Sequence, residues 1–463
     1  MDRKIRRVAT GLCLVLVLLL AACGGNNSQS SPESPRATGG SPSASAAPGS
    51  QEGQGDIDWS TVKADIRFVW PGTSEIEKDM AEKFKAAMKE KYPGVNIEFM
   101  YLSWSDMEKK LAVMINSGDA PDLTQTQDVT NLVQMDGLED LTPFLEQAGD
   151  RLKPDNFLPG TMEYSMIDGK VYSIPQLGQA FALMVNEEML NEVGMKVEDL
   201  KTWADLERAA QLMTKDGKYG FGYPVGVPRF AWRVPFTASF SNDLVLDDTS
   251  EESRQKYLEL LQHFKNLEAY QPEAHVTWGY PEMFRAYANG EVGIIAAGSF
   301  FSSNAYPINP DILKVTRVIP YPQGPSGSGP KAPTLNVGYA IFKGSKNKEV
   351  AWKLLEEITS PEFNAMQAAT IHFSAIKGTD MSGADQIIEQ VYPKAVEDHK
   401  RITQEFFDVA SGFGVEAPKI KGQPEMETAF QEEMIAMLTG KKTVEETYES
   451  IKKALDAIKA KYQ

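Results

Sequence analysis

Residues 64–102 read ADIRFVWPGTSEIEKDMAEKFKAAMKEKYPGVNIEFMYL. ADIRFVW is a short apolar-rich run ending at Trp70, and Pro71-Gly72-Thr73-Ser74 is turn chemistry. In the run that follows, Ile76, Met80, Phe84 and Met88 recur every four residues, the spacing of one helix face. Pro93-Gly94 stops that helix, and VNIEFMYL begins a second strand. A second helix is expected from about Ser105 to Asn116, before Gly118-Asp119-Ala120-Pro121 leads into Asp122-Leu123-Thr124. Strand, helix, strand, helix at this spacing predicts βαβ units and a mostly parallel sheet, an α/β fold.

Further along, Asp168-Gly169 predicts a β-turn before a strand that Pro175 interrupts, with FALMVN as another strand. Helices are expected at 202–213, 251–270 and 278–289, followed by a buried strand VGIIAAG. The Pro-, Gly- and Ser-rich segment 320–334 reads as an exposed loop, and NVGYAIFK as a strand. From Asn347 helices dominate: 348–359, 361–369, parts of 382–409, 424–438 and 443–461. Thr443 and Glu446 form a capping box for the last.

The chain has 463 residues, enough for two to three domains and a substantial core. Its 47 Lys and Arg face 64 Asp and Glu, a net charge of −17. Without the first 22 residues, 43 basic residues face 63 acidic ones, a net of −20. That disfavours nonspecific binding to nucleic acid or to an anionic membrane face. Hydrophobic residues at 42% exclude wholesale disorder, and two Cys with four His leave little for a metal or thiol redox centre.

Arg3, Lys4, Arg6 and Arg7 precede the apolar stretch Gly11–Ala22, too short for a comfortable membrane span, so the segment reads as an export signal. Leu20-Ala21-Ala22-Cys23 resembles a bacterial lipobox, which implies cleavage before Cys23 and a lipid on its sulfur; an ordinary signal peptide with an incidental cysteine is the alternative. Cys13 lies in the discarded part, so no disulfide is expected in the folded body. In residues 24–58, 19 of 35 are Gly, Pro or Ser and none is aromatic, the composition of a tether. Fatty chains, rather than a spanning helix, then hold the protein at a membrane.

Several stretches together resemble the extracellular solute-binding proteins of bacterial ABC importers, in the carbohydrate group that includes the maltose-binding protein. They are the lipobox, GKVYSIPQLGQAFALMVNEEMLNEVG at 169–194, TWADL at 202–206, NGEVGIIAAGS at 289–299, NVGYAIFKGSKNKEVAWKLLEEITSPEF at 336–363 and GKKTVEETYESIKKALDAI at 440–458. The resemblance implies a periplasmic binding protein-like fold: two α/β lobes joined by three hinge crossings, with a helical C-terminal part and a ligand cleft between the lobes. Crossings are expected near 174–181, 294–300 and 335–345. Lobe one is expected at 64–175 and 296–338, lobe two at 178–293 and 345–463, after a signal peptide at 1–22 and a linker at 23–63. A lipid-anchored receptor on the outer face of a cell membrane, delivering an oligosaccharide to ABC permease subunits as a monomer, is the function it implies.

A sugar site needs aromatic faces for C–H patches and planar polar groups for hydroxyls. Trp70 ends the first strand, where an α/β sheet presents ligand contacts, and Ser74 starts the following helix. Gln125, Gln127 and Asp128 follow another strand end, and Gln176 and Gln179 lie at the first crossing. Trp232 sits in PRFAWR at 228–233, read as a loop with two aromatics and two guanidiniums and offered as a stacking platform. Trp278 and Tyr280, which precede a helix, with Phe300 and Tyr339 complete the candidates; Trp203 and Trp352 match core helix positions, and Trp104 is undecided. A solvated loop or lobe packing is the bland alternative for each.

No HExxH, GxSxG or Walker-type P-loop occurs, and GPSGSGPK at 324–331 lacks the phosphate-loop spacing. No enzyme activity, cofactor or metal is therefore expected. A polyamine or other small solute, a surface binding or adhesion module without a transporter, and a receptor feeding a sensor kinase stay open as alternatives.

Overall fold

The computed structural model describes residues 57–463 except 73, 159 and 463. The export signal, Cys23 and the tether up to residue 56 lie outside the described residues.

The strands are β1 (Ala64–Pro71), β2 (Val95–Leu102), β3 (Leu123–Thr126), the hairpin β4 (Met166–Ile167) and β5 (Lys170–Val171), β6 (Ile174–Asn186), β7 (Tyr219–Gly222), β8 (Val292–Gly298), β9 (Thr316–Ile319), β10 (Ala332–Ile341), β11 (Phe373–Ser374) and β12 (Gly414–Glu416). The longer helices are α1 (Glu75–Lys91), α2 (Met107–Asn116), α3 (Trp203–Met213), α4 (Pro228–Phe240), α5 (Arg254–Leu267), α6 (Tyr280–Ala288), α7 (Lys348–Ile358), α8 (Pro361–Thr370), α9 (Ala384–Val391), α10 (Val396–Phe413), α11 (Gln423–Leu438) and α12 (Val444–Lys461). Capping follows the sequence: Ser74 and Glu77 form a capping box on α1, Thr202 and Asp205 on α3, and Thr443 and Glu446 on α12.

The main path of the sheet runs β2-β1-β3-β10-β6-β8-β7. It is mixed rather than mostly parallel. β1 pairs parallel with β2 and β3, and β7 with β8, but β10 runs antiparallel to both β3 and β6, and β8 antiparallel to β6. The βαβ periodicity of the amino-terminal stretch describes only its own edge, because β10 and β6 come from distant parts of the chain.

Pro175 does not interrupt its strand. β6 is continuous over 13 residues, and the register against β10 shifts between Val337 and Gly338, so that Gln176, next to the proline on the same strand, has no partner in the ladder while Pro175 faces Gly338. Pro lacks a ladder donor, and a bulge is where a strand tolerates it. Residues 174–180 of β6 pair with β10, and residues 181–186 pair with β8 and β9. One strand thus runs through two sheet halves.

Each half has helices on both faces. In the first, Ile66, Phe68 and Trp70 of β1 pack with Phe84 and Met88 of α1 and with Trp352, Leu355 and Ile358 of α7. Val69, Ala340 and Phe342 on the opposite face meet Met107 and Leu111 of α2. In the second half, α3, α4, α5, α11 and α12 cover one face, and α6 and α10 the other. Packing therefore puts α7, expected in lobe two, with β1 and α1, and puts β9, expected in lobe one, on the second half of β6. Both segments follow their apolar faces rather than their place in sequence.

The segment 320–334 is anchored rather than exposed. Tyr321 is fully buried and pairs with Lys331, Ser326 N–H donates to Asn242 Oδ1 at 2.8 Å, and Gly324 N–H donates to the Ser241 carbonyl at 2.9 Å. A Cβ on Gly327 would fall 1.8 Å from the Ser241 carbonyl oxygen, so glycine allows this close approach. Trp203 and Trp352 are in the core as expected, and Trp203 Nε1 donates to Ser241 Oγ at 3.1 Å.

Candidate ligand-binding site

Between the two halves lies a cavity of about 380 Å³. The first half contributes Trp70 from the end of β1 and Gln125 and Gln127 from and after β3. The second contributes Arg229, Phe230 and Arg233 from α4 and Tyr280 from α6. Gln179 and Phe181 of β6, Phe300 after β8, and Gln367 and His372 close the walls. Strand ends and helix starts meet here, the usual ligand position in an open α/β sheet.

The polar wall of the first half is a relay. Gln125 Nε2 donates to Tyr339 Oη at 3.2 Å, and Tyr339 Oη donates to Gln367 Oε1 at 3.0 Å. This fixes the Gln367 amide, whose Nε2 is buried and has no hydrogen-bond partner. Gln127 ties three elements together. Its Nε2 donates to Gln179 Oε1 at 2.6 Å, and its Oε1 accepts from Arg229 Nη2 at 2.6 Å.

The apolar wall belongs mainly to the second half. Phe230 and Tyr280 stack with ring centroids 3.9 Å apart and planes 9° apart, and Tyr280 and Phe181 lie 5.8 and 6.1 Å from Phe300. The Tyr280 hydroxyl is buried without a partner, and burial pushes its pKa up to about 12. It is therefore a neutral hydroxyl at any ordinary pH. His372 Nδ1 faces Ser299 Oγ at 2.8 Å, and burial pulls the imidazole down to about 3, which keeps it uncharged.

The carboxylates around the cavity are already engaged. Glu77 accepts from Ser74 N and Oγ at 3.1 and 2.6 Å, and Glu282 accepts from Gly279 N at 2.9 Å. Gly72, at φ +104°, lets the turn lie on Glu77: a Cβ there would be 2.3 Å from Glu77 Oε1. Behind the main cavity, a space of about 20 Å³ holds Asp128, Glu108 and the inner side of Arg233. Asp128 accepts from Thr130 N and Oγ1 at 2.8 and 2.6 Å, and burial raises its pKa. Glu108 lies 3.7 Å from Arg229, and burial lifts its carboxyl to about 7 despite that guanidinium.

Of the expected site residues, Trp70, Gln125, Gln127, Gln179 and Phe300 line the cavity. Ser74 caps α1 through Glu77 and stands just behind the wall. Asp128 faces the smaller space. Gln176 is fully buried, its Nε2 donating to the Ile358 carbonyl. Tyr339 is buried and acts through Gln367, and Trp278 packs beside the α6 cluster. Trp232 is in the core against Phe430 at 5.3 Å, because residues 228–240 are a helix and not a loop. Helical spacing turns Arg229 and Arg233 to the cavity and Trp232 away from it.

Sequence reading missed Gln367 and His372, and took the arginines of PRFAWR only as companions of Trp232; Tyr280, expected beside Trp278 at the cleft, does line the cavity. Pro228 was the available signal: at the first position of α4 it starts a helix as readily as a loop. Among the described residues, no group of three His, Cys, Asp or Glu could hold a metal ion. The other histidines are buried and bonded: His263 to Glu207 and Tyr321, His275 to the Tyr223 carbonyl and Glu268, His399 to the Ala369 carbonyl.

A family model described as bacterial extracellular solute-binding protein matches residues 71–365. An arabinooligosaccharide-binding protein of Halalkalibacterium halodurans is 24% identical over 290 residues, 59% of this chain and 62% of that one. The fold resembles that of the GacH receptor of Streptomyces glaucescens, solved unliganded and with acarbose, at a TM-score of 0.68 and 17% identity over 86% of this chain and 98% of that one. An ABC substrate-binding protein from Listeria monocytogenes, solved with cycloalternan, superposes at 0.70 and 18% identity over 87% and 99%. These likenesses fix the architecture as the periplasmic binding protein-like one, a mixed central sheet with many helices.

Proposed function

The chain belongs to the bacterial extracellular solute-binding protein family, and we propose that it captures an oligosaccharide in the cavity between its two halves and delivers it to an ABC permease. The carrying observation is the pairing of walls. Stacked Phe230 and Tyr280 offer an aromatic surface, and Gln367 Nε2 and Tyr280 Oη are buried polar groups in want of partners. Sugars have both an apolar C–H face and hydroxyls that accept hydrogen bonds. The saccharide ligands named for the relatives and structural neighbours support the same class.

A polyamine is disfavoured by the same geometry. It brings ammonium donors, whereas the Gln367 amide and two guanidiniums call for acceptors, and the cavity-lining carboxylates Glu77 and Glu282 cap helix starts. The sugar lies between halves that we take as the two lobes: β1–β3, α1, α2 and α7 in one, β7–β9, α3–α6, α11 and α12 in the other. Both are joined through β6 and β10. Ligand touching both lobes favours the closed arrangement, which a permease can tell from the open one. Lipid attachment at Cys23 on the outer membrane face belongs to this reading.

The test is a thermal-shift and tryptophan-fluorescence screen of the protein against gluco-, xylo-, arabino-, manno- and galacto-oligosaccharides, with polyamines alongside. A saccharide that binds the folded state raises the melting point by mass action. A flat response to every sugar with a shift from a polyamine contradicts the assignment.

A further inference from the structure

Arg233 stands apart from every other charged group at the cavity. Only 5% exposed, it forms no hydrogen bond or ion pair through its guanidinium with any described residue. Its neighbours are rings: the guanidinium carbon lies 4.7 Å from the centroid of Phe181 and 5.3 Å from that of Phe236. Aromatic faces attract the cation but cannot satisfy its five N–H donors. Burial lowers its pKa, and the nearby Arg229 lowers it further, so the site resists a second positive charge.

The surrounding charges do not supply its partner. Arg229, one helical turn earlier on α4, is held by Gln127 and faces Glu108. Asp128 is bound to Thr130, and Glu427 accepts from Gln423 Nε2 at 2.8 Å. A desolvated guanidinium without a hydrogen-bonding counter-charge is unfavourable until one arrives. The cavity is the side from which one can arrive.

Resting on the oligosaccharide reading, we propose that the ligand is an acidic one, a saccharide bearing a carboxylate that Arg233 receives. A carboxylate matches the planar fork of a guanidinium with two parallel N–H···O bonds, whereas a neutral hydroxyl brings hydrogen bonding but no charge. The chain as a whole is acidic, with a net charge of −17, so a general attraction to anions is absent and selection for the acid falls to this buried group.

The test is isothermal titration of the full chain with three length-matched series: neutral oligosaccharides, oligouronates, and the oligouronate methyl esters. The wild type is expected to bind an oligouronate about tenfold or more tighter than its ester, the ratio that a charged hydrogen bond supplies. Arg233→Gln is expected to bring acid and ester to within about twofold of each other, the acid losing more affinity than the ester. Arg233→Lys keeps the charge without the fork and retains part of the preference, which guards against a glutamine variant that fails to fold. Equal wild-type affinity for acid and neutral series overturns the inference and leaves the oligosaccharide reading intact. Absence of binding to all three series overturns both.

Discussion

Arg229 Nη2 donates to Gln127 Oε1 at 2.6 Å, joining residues 102 positions apart across the cleft. Gln127 in turn holds Gln179 of β6 at 2.6 Å. One side chain thus connects the sheet edge of the first half, the shared strand and α4 of the second.

Arg229→Ala removes both the amide contact and the cation 3.7 Å from Glu108. Charge-assisted hydrogen bonds contribute about 1.5–3 kcal/mol, so saccharide affinity is expected to fall by roughly tenfold or more. Titration calorimetry on the variant and the wild type checks this. Unchanged affinity means that the contact plays no part in closure.

The Gln125–Tyr339–Gln367 relay makes Tyr339 a positioning residue. Tyr339→Phe frees the Gln367 amide to rotate, and Gln367→Leu removes the donor itself. Both weaken binding, Gln367→Leu the more. Because the phenylalanine acts through Gln367, the double variant is expected to lose little beyond Gln367→Leu alone. A fully additive double-mutant cycle contradicts the relay.

Two aromatic residues two positions apart on α4 separate stability from binding. Trp232 is fully buried, and Trp232→Ala is expected to cost about 3–5 kcal/mol of stability. Phe230→Ala leaves the core intact and removes the face stacked on Tyr280, so affinity falls instead. Denaturant unfolding and ligand titration on both variants read the contrast.

Glu108 makes stability depend on pH in a defined direction. Burial lifts its folded carboxyl to about 7 from the ordinary 4.5. The folded state then holds the proton more tightly than the unfolded one, and stability from this group falls as pH rises from 4.5 to 7. Glu108→Gln removes the effect. Its advantage over the wild type is expected to grow across that window, to at most about 3 kcal/mol, and to level off above pH 7. A difference independent of pH contradicts it.

Legibility in the sequence followed the range of the interactions. Ile76, Met80, Phe84 and Met88 reveal α1 because a helix face is a local pattern, and Thr443 with Glu446 reveals the start of α12 for the same reason. The antiparallel insertion of β10 between β3 and β6 has no local signature, so the sheet read as mostly parallel. Strand-end residues such as Trp70, Gln125 and Gln127 were visible as candidates since strand ends face ligand in α/β sheets. Trp232 misled because a tryptophan beside arginines suggests a surface platform, whereas helical phase decided which residues met the cavity. Gln367 and His372 stand close to the C-terminal region, and tertiary packing against β6 alone brings them to the site.

The most direct test is a crystal structure of the protein with the tightest-binding saccharide from the titrations. It is expected to show a sugar ring against the Phe230–Tyr280 stack, with hydrogen bonds to Gln367 Nε2 and Tyr280 Oη. A saccharide seated elsewhere, with the cavity between the halves unoccupied, contradicts the account.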